Sequence, residues 1–125
     1  MAFDNFVQSV SLPAAADLSA AQFKLLTVNS SGNAALAGAT SLVVGVLQNK
    51  PDAAGKAATV AYAGVSKVVA GGSITAGARV TADANGAAVA AASAGDAVLG
   101  VALATASSGD LIPVLINPYP FAALA

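Results

Sequence analysis

Short β-type runs separated by turn residues fill residues 71–116 of this chain. Asp83-Ala84-Asn85-Gly86 supplies residues that tolerate positive φ in a tight reversal. Ser107-Ser108-Gly109-Asp110 separates two apolar runs, which is the pattern of a β-hairpin. Turns at this spacing leave no room for long helices, so the segment predicts an all-β module.

The same alternation extends over most of the chain and predicts eight strands. They are residues 23–28, 42–48, 58–63, 65–69, 78–81, 87–90, 98–103 and 111–116. Helix signals are weak: Asp17 is a candidate N-cap, but the corresponding Ser73–Gly77 segment reads as a turn, so the first segment is also expected to be non-helical. Many short strands with frequent turns favour a small β-barrel or β-roll.

The two halves of the chain resemble each other. Leu26–Gly32 matches Val80–Gly86 at an offset of 54 residues (86 − 32), and the run around Gly45 matches the run around Gly100 at 55 (100 − 45). This predicts a pseudo-duplicated β-rich domain over residues 17–116, with repeats at about 17–69 and 70–116. Chance alignment of Ala/Gly-rich sequence is the alternative.

The ends of the chain differ from its middle and are predicted to be an N-terminal arm, residues 1–16, and a C-terminal tail, residues 117–125. They concentrate the aromatic residues, which are enriched at protein interfaces. We therefore expect an interface with another protein or with a second subunit at Phe3, Phe6, Val7, Tyr119 and Phe121. The alternative is that both ends fold back over the domain's own core.

Composition excludes several classes of protein. Hydrophobic residues make up 57% and mean hydropathy is +0.76, yet no apolar run approaches the roughly 18–20 residues of a membrane helix. The start lacks the basic and apolar regions of a signal peptide, so assembly in a cytoplasm is expected. Five basic and six acidic residues leave no basic surface for nucleic acid. Charged residues total only 9%, so partners are expected to cover part of the surface.

Catalytic and cofactor chemistry finds no support in the residues. Without His or Cys there is no Ser-His-Asp or Cys-His arrangement, no disulfide and no imidazole ligand, and no Ser-x-x-Lys spacing occurs. Asp52, Asp83, Asp96 and Asp110 each adjoin turn residues, where a carboxylate bonds backbone amides. Ala54-Gly55-Lys56 lacks the remainder of a phosphate-binding loop. We expect no enzyme activity, no cofactor, no metal site and no small-molecule substrate.

The order of elements in the second half resembles the capsid cement, or head decoration, proteins of tailed bacteriophages. The similarity rests on the segments SITAG, V-T-A-D-A-N-G-A-A-V, AGDAVLGVAL and SSGDLIPVLI. It implies a structural protein that is located on the outside of the virion head, contacts the major capsid protein and bridges its subunits, and is expected to form a homotrimer. The alternative from another class is a secreted Ala/Thr/Gly-rich β protein of the adhesin or ice-binding type.

Overall fold

The computed structural model describes residues 7–39, 41–92 and 95–116. These residues form nine strands in one antiparallel sheet that curls into a half-barrel. The strands are β1 (Val7–Pro13), β2 (Leu25–Val28), β3 (Ala34–Leu36), β4 (Gly45–Leu47), β5 (Ala57–Val69), β6 (Arg79–Ala82), β7 (Ala88–Ala90), β8 (Gly100–Ala102) and β9 (Leu111–Ile116). No helix occurs in these three ranges, and the predicted all-β fold is confirmed.

The sheet consists of two halves with the same arrangement. Its order, β3-β2-β4-β5-β9-β8-β6-β7, is symmetric when β2 to β5 are matched with β6 to β9. The turns match as well, because Asn29 Oδ1 accepts the N–H of Ser31 at 3.0 Å and Asp83 Oδ1 accepts the N–H of Asn85 at 2.8 Å. Both are side-chain turns of the same kind. The repeat bounds given above stay a prediction.

The central strand, β5, is shared by the two halves. Its first part pairs with β1 and β4, and its second part pairs with β9. A one-residue register shift makes Tyr62 a β-bulge, and Gly64 has a φ of 100°. The sequence predicted two strands broken at Gly64; that prediction is wrong, because Gly64 itself pairs with Val7 and Ile116 and the ladder continues through it.

Although its ladder is continuous, β5 is strongly bent. The Gln48 N–H donates to Thr59 O at 2.8 Å, while Gln48 Nε2 donates to Ser66 Oγ at 2.9 Å. Seven residues of straight strand would separate Thr59 from Ser66 by about 23 Å, far beyond the reach of one glutamine side chain. The bulge and Gly64 therefore turn the second part of β5 back toward the first half of the chain.

The buried side chains form two clusters. The smaller belongs to the first half and contains Ala14, Leu18, Ala21, Leu26, Ala34, Leu47, Ala58 and Val60. The larger contains the second half's core and first-half residues such as Leu25, Val43, Val46 and Ala61. Side chains from both halves are therefore buried together in the larger cluster, and β5 also connects the two halves.

Two strands differ from the sequence analysis. Residues 7–13, placed there in an arm, form β1: Val7 packs against the larger cluster and Leu12 against the smaller one. Strand β3 was not predicted, because three residues of the Ala34–Leu36 type carry little β signal of their own.

The close approach of β4 to β5 at Gly45 can be tested by substitution. A Cβ at this position would overlap Ala61 O and lie 2.7 Å from Val60 Cγ1, whereas a Cβ at Gly38 meets only Ser41 Oγ at 3.6 Å. We expect Gly45→Ala to lower the free energy of unfolding by about 1–3 kcal/mol in urea denaturation. The control Gly38→Ala should leave it unchanged or raise it slightly. Equal effects of the two variants would contradict this packing.

Candidate functional site

One face of the sheet carries an apolar surface, which we call the outer face. In the strand register, Val65 lies opposite Leu115, Lys67 opposite Pro113 and Val69 opposite Leu111. Opposed residues point to the same face of a sheet. Continuation onto β8 adds Val101, opposite Leu115, and Leu103, whose N–H donates to Pro113 O at 3.0 Å. The outer face comprises Val65, Lys67, Val69, Val101, Leu103, Leu111, Pro113 and Leu115.

The leucines of this face are unusually exposed. Leu111 is 53% exposed, and Leu103 and Leu115 are each 48% exposed, whereas Ile112, Val114 and Ile116, on the other face of β9, are buried. A strand that is apolar on both sides is typical of sheets covered on both faces. Contiguous exposed apolar surface of this kind marks an interaction site.

The charge on this surface is positive. Lys67 lies within the outer face, and the exposed Arg79 is paired with Val101 at its margin. No carboxylate is among the residues that define the face. The surface therefore suits a partner that is apolar with acidic groups around its contact area.

A groove of about 570 Å³ adjoins the outer face. It is lined by Phe23, Gln48, Val65, Ser66, Lys67, Leu111, Ile112 and Pro113. Of the described residues other than glycine, only Phe23 has a positive φ, 66°, and Gly77 holds the corresponding position in the second half with a φ of 89°. A phenylalanine in this conformation is strained by roughly 1–3 kcal/mol, so the wall of the groove is maintained at a cost in stability.

Asp83, Asp96 and Asp110 accept backbone N–H groups in turns, as predicted, whereas Asp52 pairs with the side chain of Lys56. Asp83 accepts backbone N–H groups, and Asp110 Oδ2 accepts the N–H of Ser107 at 2.9 Å. Asp52 Oδ1 lies 2.7 Å from Lys56 Nζ; this hydrogen bond lowers the pKa of Asp52 and raises the pKa of Lys56. Both side chains are exposed, so the pair contributes little to stability.

The described part of the chain contains neither a metal-binding cluster nor a membrane-spanning helix. Within residues 7–39, 41–92 and 95–116, no group of three or more acidic, His or Cys residues is placed to hold a metal ion. In the same residues, no helix is long and apolar enough to cross a membrane.

The residues that the sequence predicted for an interface are not those that form the outer face. Phe3, Phe6, Tyr119 and Phe121 lie outside the described residues. Val7 begins β1 opposite Gly64 and is half-buried against the larger cluster, and its place in an interface stays a prediction. The sequence analysis missed Leu103, Leu111 and Leu115, although the uninterrupted apolar run of β9 was a signal that both its faces are covered.

This chain is similar to known proteins in both sequence and structure. A family model described as phage cement protein matches residues 4–116. The solved structure of the head fiber gp8.5 N base of bacteriophage phi29 superposes with a TM-score of 0.67 at 22% sequence identity, covering 90% of this chain and 96% of that one. At that identity the likeness concerns the fold. No curated protein matches significantly.

The assignment of inner and outer residues in β9 is testable by substitution. Leu111→Ser and Leu115→Ser remove exposed side chains, so each should change the free energy of unfolding by less than about 0.5 kcal/mol. Ile112→Ala truncates a buried side chain and should cost about 2–5 kcal/mol. Urea denaturation of the three variants provides the comparison, and a large cost for either leucine variant would show that the outer face is packed within the isolated protein.

Proposed function

Because this chain belongs to the phage cement protein family, we propose that it decorates the outside of a tailed-phage head and bridges neighbouring major capsid subunits. Membership makes it a structural protein associated with the phage capsid. The exposed apolar outer face is the observation that carries the finer proposal, because a stable decoration layer needs a surface that is buried only on binding.

The proposed mechanism is selective binding to the assembled shell. A protein that binds the intact capsid and not its dissociated subunits stabilises the shell by RT ln(1 + [L]/Kd), about 2.7 kcal/mol per site at one hundred times Kd. Bridging adds to this effect, since one molecule then opposes separation of two subunits. Many sites on one shell multiply the gain.

The partners follow from the same proposal. They are the major capsid protein and further copies of this chain, in a homotrimer assembled in the cytoplasm of the host bacterium. Support comes from the low content of charged residues and from a sheet that is apolar on both sides of β9. The terminal aromatic residues Phe3, Phe6, Tyr119 and Phe121 stay part of the proposed interface.

The outer face can be tested directly on undecorated phage heads. We expect Leu111→Asp/Leu115→Asp to weaken capsid binding by about tenfold or more, because each leucine would lose roughly 1 kcal/mol of burial and each aspartate would be desolvated. The measurement is bound protein per capsid after co-sedimentation, with the melting temperature of the capsid as a second readout.

A matched control places the same change elsewhere on the surface. Val28 and Leu42 are 41% and 45% exposed but belong to the first half, so Val28→Asp/Leu42→Asp should bind like the unchanged protein. Equal loss in both double variants would point to unfolding or to general charge repulsion. Full binding by the Leu111/Leu115 variant would overturn the assignment of this face.

The terminal aromatic residues need separate variants. Deletion of residues 1–6 leaves β1 intact, and Tyr119→Ser/Phe121→Ser alters the tail alone. If these residues contact the capsid or a second subunit, each variant should reduce the number of bound copies at subsaturating concentration several-fold. Unchanged occupancy with both variants would restrict the interface to the outer face.

A further inference from the structure

The two halves of the chain contact each other through unlike surfaces. The second half contributes the turn at Gly86, whose carbonyl accepts the N–H of Leu25 at 2.8 Å and where a Cβ would overlap Leu36. In the same junction, Gln48 Nε2 of the first half donates to Ser66 Oγ at 2.9 Å. When two related halves join through unlike surfaces, each half keeps an unused counterpart of the surface that the other half contributes.

The unused surface of the second half is one corner of the outer face. Three of its residues hold the strand positions of residues in the first half, which are Val101 for Val46, Leu103 for Gln48 and Leu115 for Ala61. Val46 and Ala61 are fully buried in the larger cluster, to which the second half contributes most of the residues. Leu103 and Leu115 are exposed. The same corner of the sheet is therefore covered in the first half and open in the second.

The unused surface of the first half lies around Gly32 and Val10. Gly32 holds in its turn the position of Gly86, but a Cβ there would meet nothing within 4 Å. Val10 holds in β1 the position of Ser66 in β5, since each lies three residues before the last pair of its ladder (13 − 10 and 69 − 66). Val10 is 46% exposed, whereas Ser66 is 3% exposed.

We propose that the chain binds a second copy of itself head to tail. The corner around Leu103 and Leu115 of one copy packs against the surface around Val10 and Gly32 of the next copy, and so repeats between molecules the contact that joins the halves within one. The inference rests on the homotrimer of the proposed function and names the surfaces that form it.

The remainder of the outer face stays available to the capsid. The positions of Leu111 and Lys67 are held in the first half by Ala57 and Ser11, which are exposed even though the halves are in contact. A second copy seated in the same way would leave Leu111 and Lys67 uncovered. One molecule can therefore contact a neighbouring copy and the capsid at the same time.

The side chains that would meet between copies are matched. Val10 and Leu103 take the places of Ser66 and Gln48, so an apolar pair replaces a polar one. Both apolar side chains are exposed in the single molecule, and their burial favours association. A change of only one member would have left a polar group without its partner.

One backbone hydrogen bond of the junction can also be repeated. Arg79 opens β6 and is paired with β8, just as Leu25 opens β2 and is paired with β4. The Arg79 N–H therefore points out of its ladder in the same direction as the Leu25 N–H. In the next copy, Gly32 O stands in the place of the acceptor Gly86 O.

The other backbone bond of the junction has no counterpart. Within the chain, the Val69 N–H donates to Phe23 O at 2.9 Å. Pro13 holds the position of Val69 in the first half and has no N–H to donate. We therefore expect the contact between copies to be weaker than the contact between halves, and association to be reversible.

Crosslinking tests the contact in the full chain, which contains no cysteine. The single variants Val10→Cys and Leu103→Cys are mixed and treated with a short bismaleimide, because a glutamine side chain spans the corresponding gap within the chain. We expect covalent dimers with one chain of each variant, identified by mass after isotopic labelling of one of them. Leu111→Cys in place of Leu103→Cys is the matched control and should give several-fold fewer.

The double variant Val10→Cys/Leu103→Cys tests whether the assembly closes. Contacts between unlike surfaces either form a ring or continue as an open fibre. We expect crosslinked products that end at three chains. Products that extend beyond three chains would overturn the closed homotrimer, and equal crosslinking of the Leu111 control would overturn the assignment of the corner.

Charge substitutions test the contact without a covalent link. Leu103→Glu should raise the dissociation constant of self-association about tenfold or more, because its carboxylate would be buried against Val10. The double variant Val10→Lys/Leu103→Glu should regain association, and the control Leu111→Glu should associate like the unchanged protein. The measurement is sedimentation equilibrium of the free protein, with the far-ultraviolet spectrum to verify folding.

The outcomes separate this inference from the proposed function. An oligomer that withstands Leu103→Glu would overturn the surfaces named here and leave the homotrimer standing. A free protein that stays monomeric at every concentration would overturn the contact itself. Co-sedimentation of that monomer with phage heads would then decide the capsid role separately.

Discussion

The sheet depends on β5 keeping one hydrogen-bonded ladder while it turns between two sets of partners. Gly64 and the bulge at Tyr62 make the turn possible. Because side chains alternate between the two faces of a strand, Val60 packs in the smaller cluster and Ala61 in the larger. An Ala-rich half of about 50 residues buries too little surface to be stable alone. The bend joins two such halves through shared side chains such as Leu25 and Val46.

The parts of the fold that follow local rules were predictable from sequence. Strand β9 has the predicted bounds, because the turn at Gly109 and the apolar run define it locally, and Asp83 closes its predicted turn. Strand β1 was missed since its partner lies some 50 residues away and its three polar residues interrupt any regular apolar alternation. The continuity of β5 was missed for a similar reason: a glycine that ends a strand and one that bends it look the same without the pairing partners.

The outer face was only partly predictable from the sequence. Hydrophobicity alone cannot distinguish Leu111 from Ile112, since both suit a core; the pairing register separates them, and only the three-dimensional structure supplies it. The sequence analysis chose the aromatic residues at the ends of the chain because such residues are enriched at interfaces. Leucine is less enriched there, so Leu103, Leu111 and Leu115 were not predicted.

The two halves have the same arrangement of strands but different exposed side chains. At the positions in the first half that correspond to Leu111 and Pro113, 54 residues earlier, stand Ala57 and Thr59. The exposed apolar side chains at these two positions of β9 are therefore not repeated in the first half. If the outer face is the attachment surface proposed above, a molecule bound through it offers no second copy of that face to further molecules, and coating would stop at one layer instead of growing into fibres.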